Sequence, residues 1–77
     1  MSIKLRYFAS LKDLLGRDGD EIAAEGIATV ADAWTTANPD RPLPANILAA
    51  VNMDYASLDS PVKDGDELGF FPPVTGG

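Results

Sequence analysis

The chain has 77 residues, 45% of them apolar, which allows one small core and leaves no room for a separate substrate domain. Its formal net charge is −6, an acidity that disfavours nucleic acid and anionic membrane as partners and suits docking on a basic surface. With no cysteine and no histidine, the chain is excluded from disulfides, thiolate metal sites and any Ser-His-Asp or Cys-His catalysis of its own.

In chain order, Ile3–Ala9 (IKLRYFA) alternates in part, with Ile3, Leu5 and Tyr7 on one face and Lys4, Arg6 and Phe8 on the other, as in a half-buried strand. Ser10–Gly16 (SLKDLLG) predicts one or two helical turns. Ser10 is the expected N-cap, Leu11, Leu14 and Leu15 turn inward, and Gly16 gives the left-handed stop. Arg17–Asp20 (RDGD) reads as a turn by its Asp-Gly pair, and Glu21–Gly26 (EIAAEG) as a weak second strand. Thr29–Pro39 places Val30, Ala33, Trp34 and Ala37 on one stripe of an amphipathic helix. Thr29 with Asp32 resembles a capping box, and Asn38-Pro39 ends the helix. Asp40–Asn46 is a proline-punctuated loop.

Ile47–Met53 (ILAAVNM) is so evenly apolar that it predicts a central strand covered on both faces. Asp54–Asp66 follows as a short strand or turn and then loop, and Glu67–Phe71 (ELGFF) as the last strand, closed by Pro72-Pro73, which donate nothing to a ladder. The acidic RDGDE and KDGDE segments lack EF-hand spacing, so turn chemistry is expected there and no metal site. Trp34 is expected in the core. The N-terminus lacks the apolar run of a signal peptide, and no apolar stretch reaches the roughly 18 residues of a membrane span, so cytoplasmic location is expected.

The chain finishes FFPPVTGG. Pro72-Pro73 sets an extended exit, Val74 and Thr75 favour extended backbone, and Gly76 and Gly77 carry no Cβ and fit a channel too narrow for other residues. The pattern describes a carboxylate on a thin arm, built to enter another protein's active site. The alternative for a bare Gly-Gly is a frayed end.

Ala49–Asn52 (AAVN), Asp64–Gly77 (DGDELGFFPPVTGG) and Ile3–Gly16 (IKLRYFASLKDLLG) resemble the MoaD-type sulfur carriers, the small subunits of molybdopterin synthases within the ubiquitin-like MoaD/ThiS family. The resemblance spans nearly the whole chain. It implies an α+β, ubiquitin-like β-grasp fold: a mixed sheet of four to five strands, one long and one short helix, and an extended C-terminal tail, all in a single domain over 1–77 with the tail at 72–77.

It also implies a mechanism. The carboxylate of Gly77 is adenylylated at the expense of ATP by an E1-like adenylyltransferase, then receives sulfur from a persulfide-bearing donor protein to become a thiocarboxylate. The loaded tail enters the large subunit of the heterotetrameric synthase and gives its sulfur to a cyclic pyranopterin precursor, building the dithiolene that holds molybdenum or tungsten. No cofactor is bound by the carrier itself.

Gly77 and Gly76 are thus the expected reactive end, with Pro72, Pro73, Val74 and Thr75 as the delivery arm. Alternation places Phe71 with Glu67 and Gly69 on the face opposite Leu68 and Phe70, so Phe8 and Phe71 are expected to form an exposed docking patch beside the tail exit, extended by Tyr55. Lys12 and Arg6 are candidate rim contacts or simply solvated charges. Other readings are a thiamine-pathway sulfur carrier, a ubiquitin-like modifier joined to lysines, or an interaction domain with an inert tail.

Overall fold

In the computed structural model, residues 1–44 and 46–73 are described. They form β1 (Ser2–Tyr7), α1 (Ala9–Leu15), β2 (Gly19–Ala23), α2 (Val30–Ala37), β3 (Leu48–Val51), β4 (Asp54–Ala56) and β5 (Glu67–Phe71). The sheet order is β2-β1-β5-β3-β4. β1 and β5 run parallel at its centre, and the other pairings are antiparallel.

One face of this sheet is the core. The alternation of β1 sends Ile3, Leu5 and Tyr7 inward, and that of β5 sends Leu68 and Phe70 to meet them. Leu11 of α1 and Val30, Ala33 and Trp34 of α2 close the same cluster. The expected capping box is present: the Thr29 side chain accepts from the Asp32 backbone N–H, and the Asp32 carboxylate accepts from that of Thr29. Gly16 takes the left-handed stop at φ 73°, its N–H returning to the Lys12 carbonyl. Trp34 is fully buried, and its indole N–H donates to the Arg41 carbonyl at 3.0 Å.

Four sequence expectations are corrected. Ser10 is not the N-cap. Phe8 holds that position, with no side-chain cap, because the ladder with β5 continues through a bond from the Phe8 N–H to the Phe70 carbonyl and the chain turns into α1 at once. Leu14 is 51% exposed, since so short a helix presents only its Leu11–Leu15 edge to the sheet. β2 begins at Gly19 rather than Glu21 and closes at Ala23, so the turn lies before the Asp-Gly pair's glycine. A Cβ at Gly19 would meet the Leu5 carbonyl oxygen at 2.5 Å, so only glycine allows this approach.

The fourth correction concerns the apolar run at Ile47–Met53. β3 is shorter, lies beside the edge strand and is covered on one face only: Ala49 points into the core while Leu48 is 36% exposed. Asn52 and Met53, at φ 51° and 74°, are the two-residue turn into β4, a left-handed pair that matches strand twist.

Two buried polar groups brace the core. Asn38 donates to the Tyr7 hydroxyl at 3.1 Å, and that hydroxyl donates to Asp20 at 2.9 Å. Arg17 joins them, bonded to Asp20 at 2.7 Å and to the Asn38 side-chain oxygen, with its guanidinium over the Tyr7 ring. Burial pushes the Tyr7 phenol above its ordinary value.

The second group, Asp66, accepts from the Asn52 side chain at 3.0 Å and from the Lys63 backbone N–H at 2.9 Å. These bonds, the Asn52 one foremost, hold its carboxyl below the ordinary 3.8. A depressed folded pKa means the stabilisation is complete above the unfolded value and is lost as pH falls through the folded one. Thermal melts from pH 7 to pH 2 are therefore expected to show Asp66→Asn less stable than the parent by about 1 kcal/mol at neutral pH. The gap should close below about pH 4; a constant gap down the acid limb would refute the assignment.

Candidate functional site

The face of the sheet opposite the core has no helix over it among the described residues. Strand alternation and register decide what stands there. Arg6, Gly69, Ala50 and Tyr55 form one row across β1, β5, β3 and β4. Phe71 and Leu48 lie opposite one another in the next row, with Phe8 beside them at the end of β1.

The expected aromatic patch is assembled. The rings of Phe8 and Phe71 meet edge to face at 6.4 Å, and Tyr55 lies 5.7 Å from Phe71. Phe8 is 47% exposed and Tyr55 79% exposed, while Phe71 is half-buried between them. Such a cluster of large apolar groups in water on a small domain is the signature of a binding surface. At its other end Arg6 bonds Glu67 through Nε at 2.8 Å. This ion pair is well exposed and contributes little to stability.

A shallow groove runs over this face, lined by Phe8, Phe71, Tyr55 and Met53 with Arg6 and Glu67 at its end and Ala50 and Gly69 in its floor. Arg6, named as a rim candidate, is in the lining. Lys12 stands exposed on α1 and is not among the lining residues. Met53, Ala50 and Gly69 were missed by sequence reasoning. A glycine inside a strand pattern was the available signal for the last of them.

β5 carries Phe71 and then runs into Pro72 and Pro73, which follow the strand without joining it. Both prolines line a second shallow groove together with Leu14, Pro44 and Ile47. Val74, Thr75, Gly76 and Gly77 lie outside the described residues. Among the described residues, no group of three or more carboxylates is placed to hold a metal ion. KDGDE serves as a turn, with Gly65 at φ 89° and Asp66 tying back to Lys63. No helix among the described residues is long and apolar enough to cross a membrane.

The family model described as the ThiS family matches residues 5–77. The chain belongs to the ThiS family. It is 42% identical to the molybdopterin synthase sulfur carrier subunit of Escherichia coli (strain K12), over 97% of this chain and 99% of that protein. Among solved structures it is similar to SAMP1, the small archaeal modifier protein 1 of Haloferax volcanii, with a TM-score of 0.77 and 32% identity over 100% of both chains. It is also similar to a chain in the complex of subunits 1 and 2 of the molybdopterin-converting factor of Helicobacter pylori, with a TM-score of 0.68 and 25% identity over 100% of both chains. The ubiquitin-like β-grasp fold and the resemblance to the sulfur-carrier family are both borne out.

Proposed function

We propose that this ThiS-family chain is the sulfur carrier and small subunit of a molybdopterin synthase, working in the cytoplasm. The observation that carries the reading is the end-to-end likeness to the Escherichia coli sulfur carrier subunit, in a chain whose last described strand leads from an exposed aromatic patch toward Gly77.

The chemistry is the one that the resemblance to the sulfur-carrier subunits implies. A carboxylate is a poor electrophile. An E1-like adenylyltransferase lets the Gly77 carboxylate attack the α-phosphate of ATP, releasing pyrophosphate and giving an acyl-adenylate with a good leaving group. The outer sulfur of a persulfide on a donor protein then attacks the carbonyl and displaces AMP, and a thiol cleaves the resulting acyl disulfide, leaving the thiocarboxylate on the carrier and a disulfide on the sulfur donor's side. Without cysteine, the terminal carbonyl is the seat for that sulfur. The thiocarboxylate is delivered into the large subunit, where two such transfers complete the dithiolene. Gly76 and Gly77 are the reacting end, Pro72, Pro73, Val74 and Thr75 the arm, and Phe8, Phe71 and Tyr55 the docking face, with Arg6 and Lys12 as candidate rim contacts. The carrier binds no cofactor itself; ATP belongs to the activating enzyme. The complex of molybdopterin-converting factor subunits in Helicobacter pylori supports a large-subunit partner.

A second reading, a ubiquitin-like protein modifier, is favoured by the likeness to SAMP1. Incubation with ATP, an activating enzyme and a sulfur donor separates the two. A carrier gains a mass consistent with one oxygen replaced by sulfur and supports pterin dithiolene synthesis with the large subunit. A modifier forms isopeptide bonds to lysines. An inert interaction domain does neither.

The docking face has its own test. Phe71→Ala is expected to weaken binding to the large subunit by about tenfold or more, the scale of a central aromatic anchor. Its thermal midpoint should move only a few degrees, because the ring is not in the core. Full-strength binding by a folded Phe71→Ala would remove this face from the function.

A further inference from the structure

We propose that Gly69 and Ala50 keep open a hollow in the docking face, and that this hollow seats one bulky apolar side chain of the large subunit. The inference rests on the docking reading above and adds to it the residue that sets the depth of the site.

Gly69 lies in the middle of β5, the central strand, where glycine weakens pairing and leaves nothing to pack. Its backbone gives no reason for the choice. Among the described residues the glycines with positive φ are Gly16, Gly26 and Gly65, so Gly69 has dihedrals open to any residue. Core packing gives no reason either. Where a Cβ at Gly19 would strike backbone, one at Gly69 would approach only the Cε2 atom of Phe8, at 3.2 Å, the movable end of an exposed ring. What glycine preserves at position 69 is space on the solvent side.

That space has a shape. In the row Arg6, Gly69, Ala50, Tyr55, the two smallest side chains sit next to each other and the larger ones stand outside them. Phe8 and Phe71 wall one side, and Met53, in the β3–β4 turn, is also in the lining. The charged groups of the lining, Arg6 and Glu67, satisfy each other at 2.8 Å, so the hollow presents no uncompensated charge to a guest. Apolar walls, a backbone floor and internally paired charges select a leucine-, methionine- or phenylalanine-like group over a polar one. The guest comes from the large subunit because Gly69 is two residues before Phe71 and three before Pro72. A protein that takes the arm beginning at Pro72 covers this stretch of β5.

The test fills the hollow from each strand in turn. Gly69→Leu and Ala50→Leu are titrated with the large subunit by calorimetry, beside Phe71→Asp and the parent, and each is melted alone. Gly69→Leu is expected to weaken binding by about tenfold or more while its melting temperature stays within a few degrees of the parent, since loss of a strand glycine offsets the small shift of the Phe8 ring that a Cβ at 3.2 Å requires. Ala50→Leu should act the same way and carries the test if Gly69→Leu does not fold. Parent-like affinity in either folded leucine variant overturns the proposal. If Phe71→Asp alone loses affinity, the hollow is wrong and the docking face stands; if none of the three loses affinity, both fall. Unfolding of both leucine variants also overturns it, because the small residues would then serve packing.

Discussion

Removal of Gly77 is expected to abolish sulfur transfer while leaving affinity for the large subunit within about threefold of the parent, since energetically central contacts cluster in an interface rather than spreading through it. The two effects separate because they belong to different parts of the chain. In the proposed mechanism the reacting atom is the terminal carbonyl carbon, whereas Phe8, Phe71 and Tyr55 are on the sheet face. Shortening the arm by one residue withdraws the carboxylate by about 3.3–3.6 Å. Misplacement by even ~1 Å costs on the order of a hundredfold in rate, so this displacement leaves no measurable transfer. Mass spectrometry after incubation with ATP, activating enzyme and sulfur donor reads the first effect, and calorimetry the second. Dithiolene synthesis at the parental rate by the shortened chain would end the carrier reading. Loss of binding equal to loss of transfer would instead move the docking energy into the arm.

Trp34→Ala is expected to remove a large share of the protein's stability. The indole is fully buried, 5.2 Å from the Phe70 ring and 5.9 Å from that of Tyr7, both edge to face, and it ties α2 to the following loop through the Arg41 carbonyl. Truncating such a residue costs about 3–5 kcal/mol. At ~0.05–0.15 kcal/mol per residue, a chain of this length has roughly 4–12 kcal/mol in all. Trp34→Phe keeps most of the volume, loses the N–H bond and should cost about 1–2 kcal/mol, or roughly 4–16 °C in melting temperature for a domain this small. Urea titration followed by far-ultraviolet circular dichroism measures both. A urea midpoint for Trp34→Ala equal to the parent's would show that the α2–sheet contact is not the centre of the core.

Local signals in the sequence were reliable wherever the physics is local. The Thr29–Asp32 box and the Gly16 stop depend on residues at most four apart, and both are present. The two-residue period placed Phe8 and Phe71 on the face away from Ile3, Leu5, Leu68 and Phe70, and the aromatic pair followed. Failures occurred where a distant partner intervened. Ser10 lost the cap because β5 extends the ladder through Phe8. β2 starts early because Gly19 and Asp20 pair with Arg6 and Leu5. The Tyr7–Asn38–Arg17–Asp20 network left no mark in the sequence, since its members are up to 31 residues apart. Leu14 and Leu48 were read as buried because apolar composition does not say how many faces will be covered.

The sequence by itself determined the order of the elements, the chemistry the chain is without, and the FFPPVTGG motif that carries the likeness to the sulfur carriers. Those are properties of residue type and short spacing, and they need no neighbour to be true. Only the tertiary structure decided that both helices pack on one side, leaving the other face of the sheet to water, and that two small residues from β3 and β5 stand side by side there. Which strands become neighbours depends on the burial and loop closure of the whole chain at once, and a row that crosses four strands exists only after that choice is made.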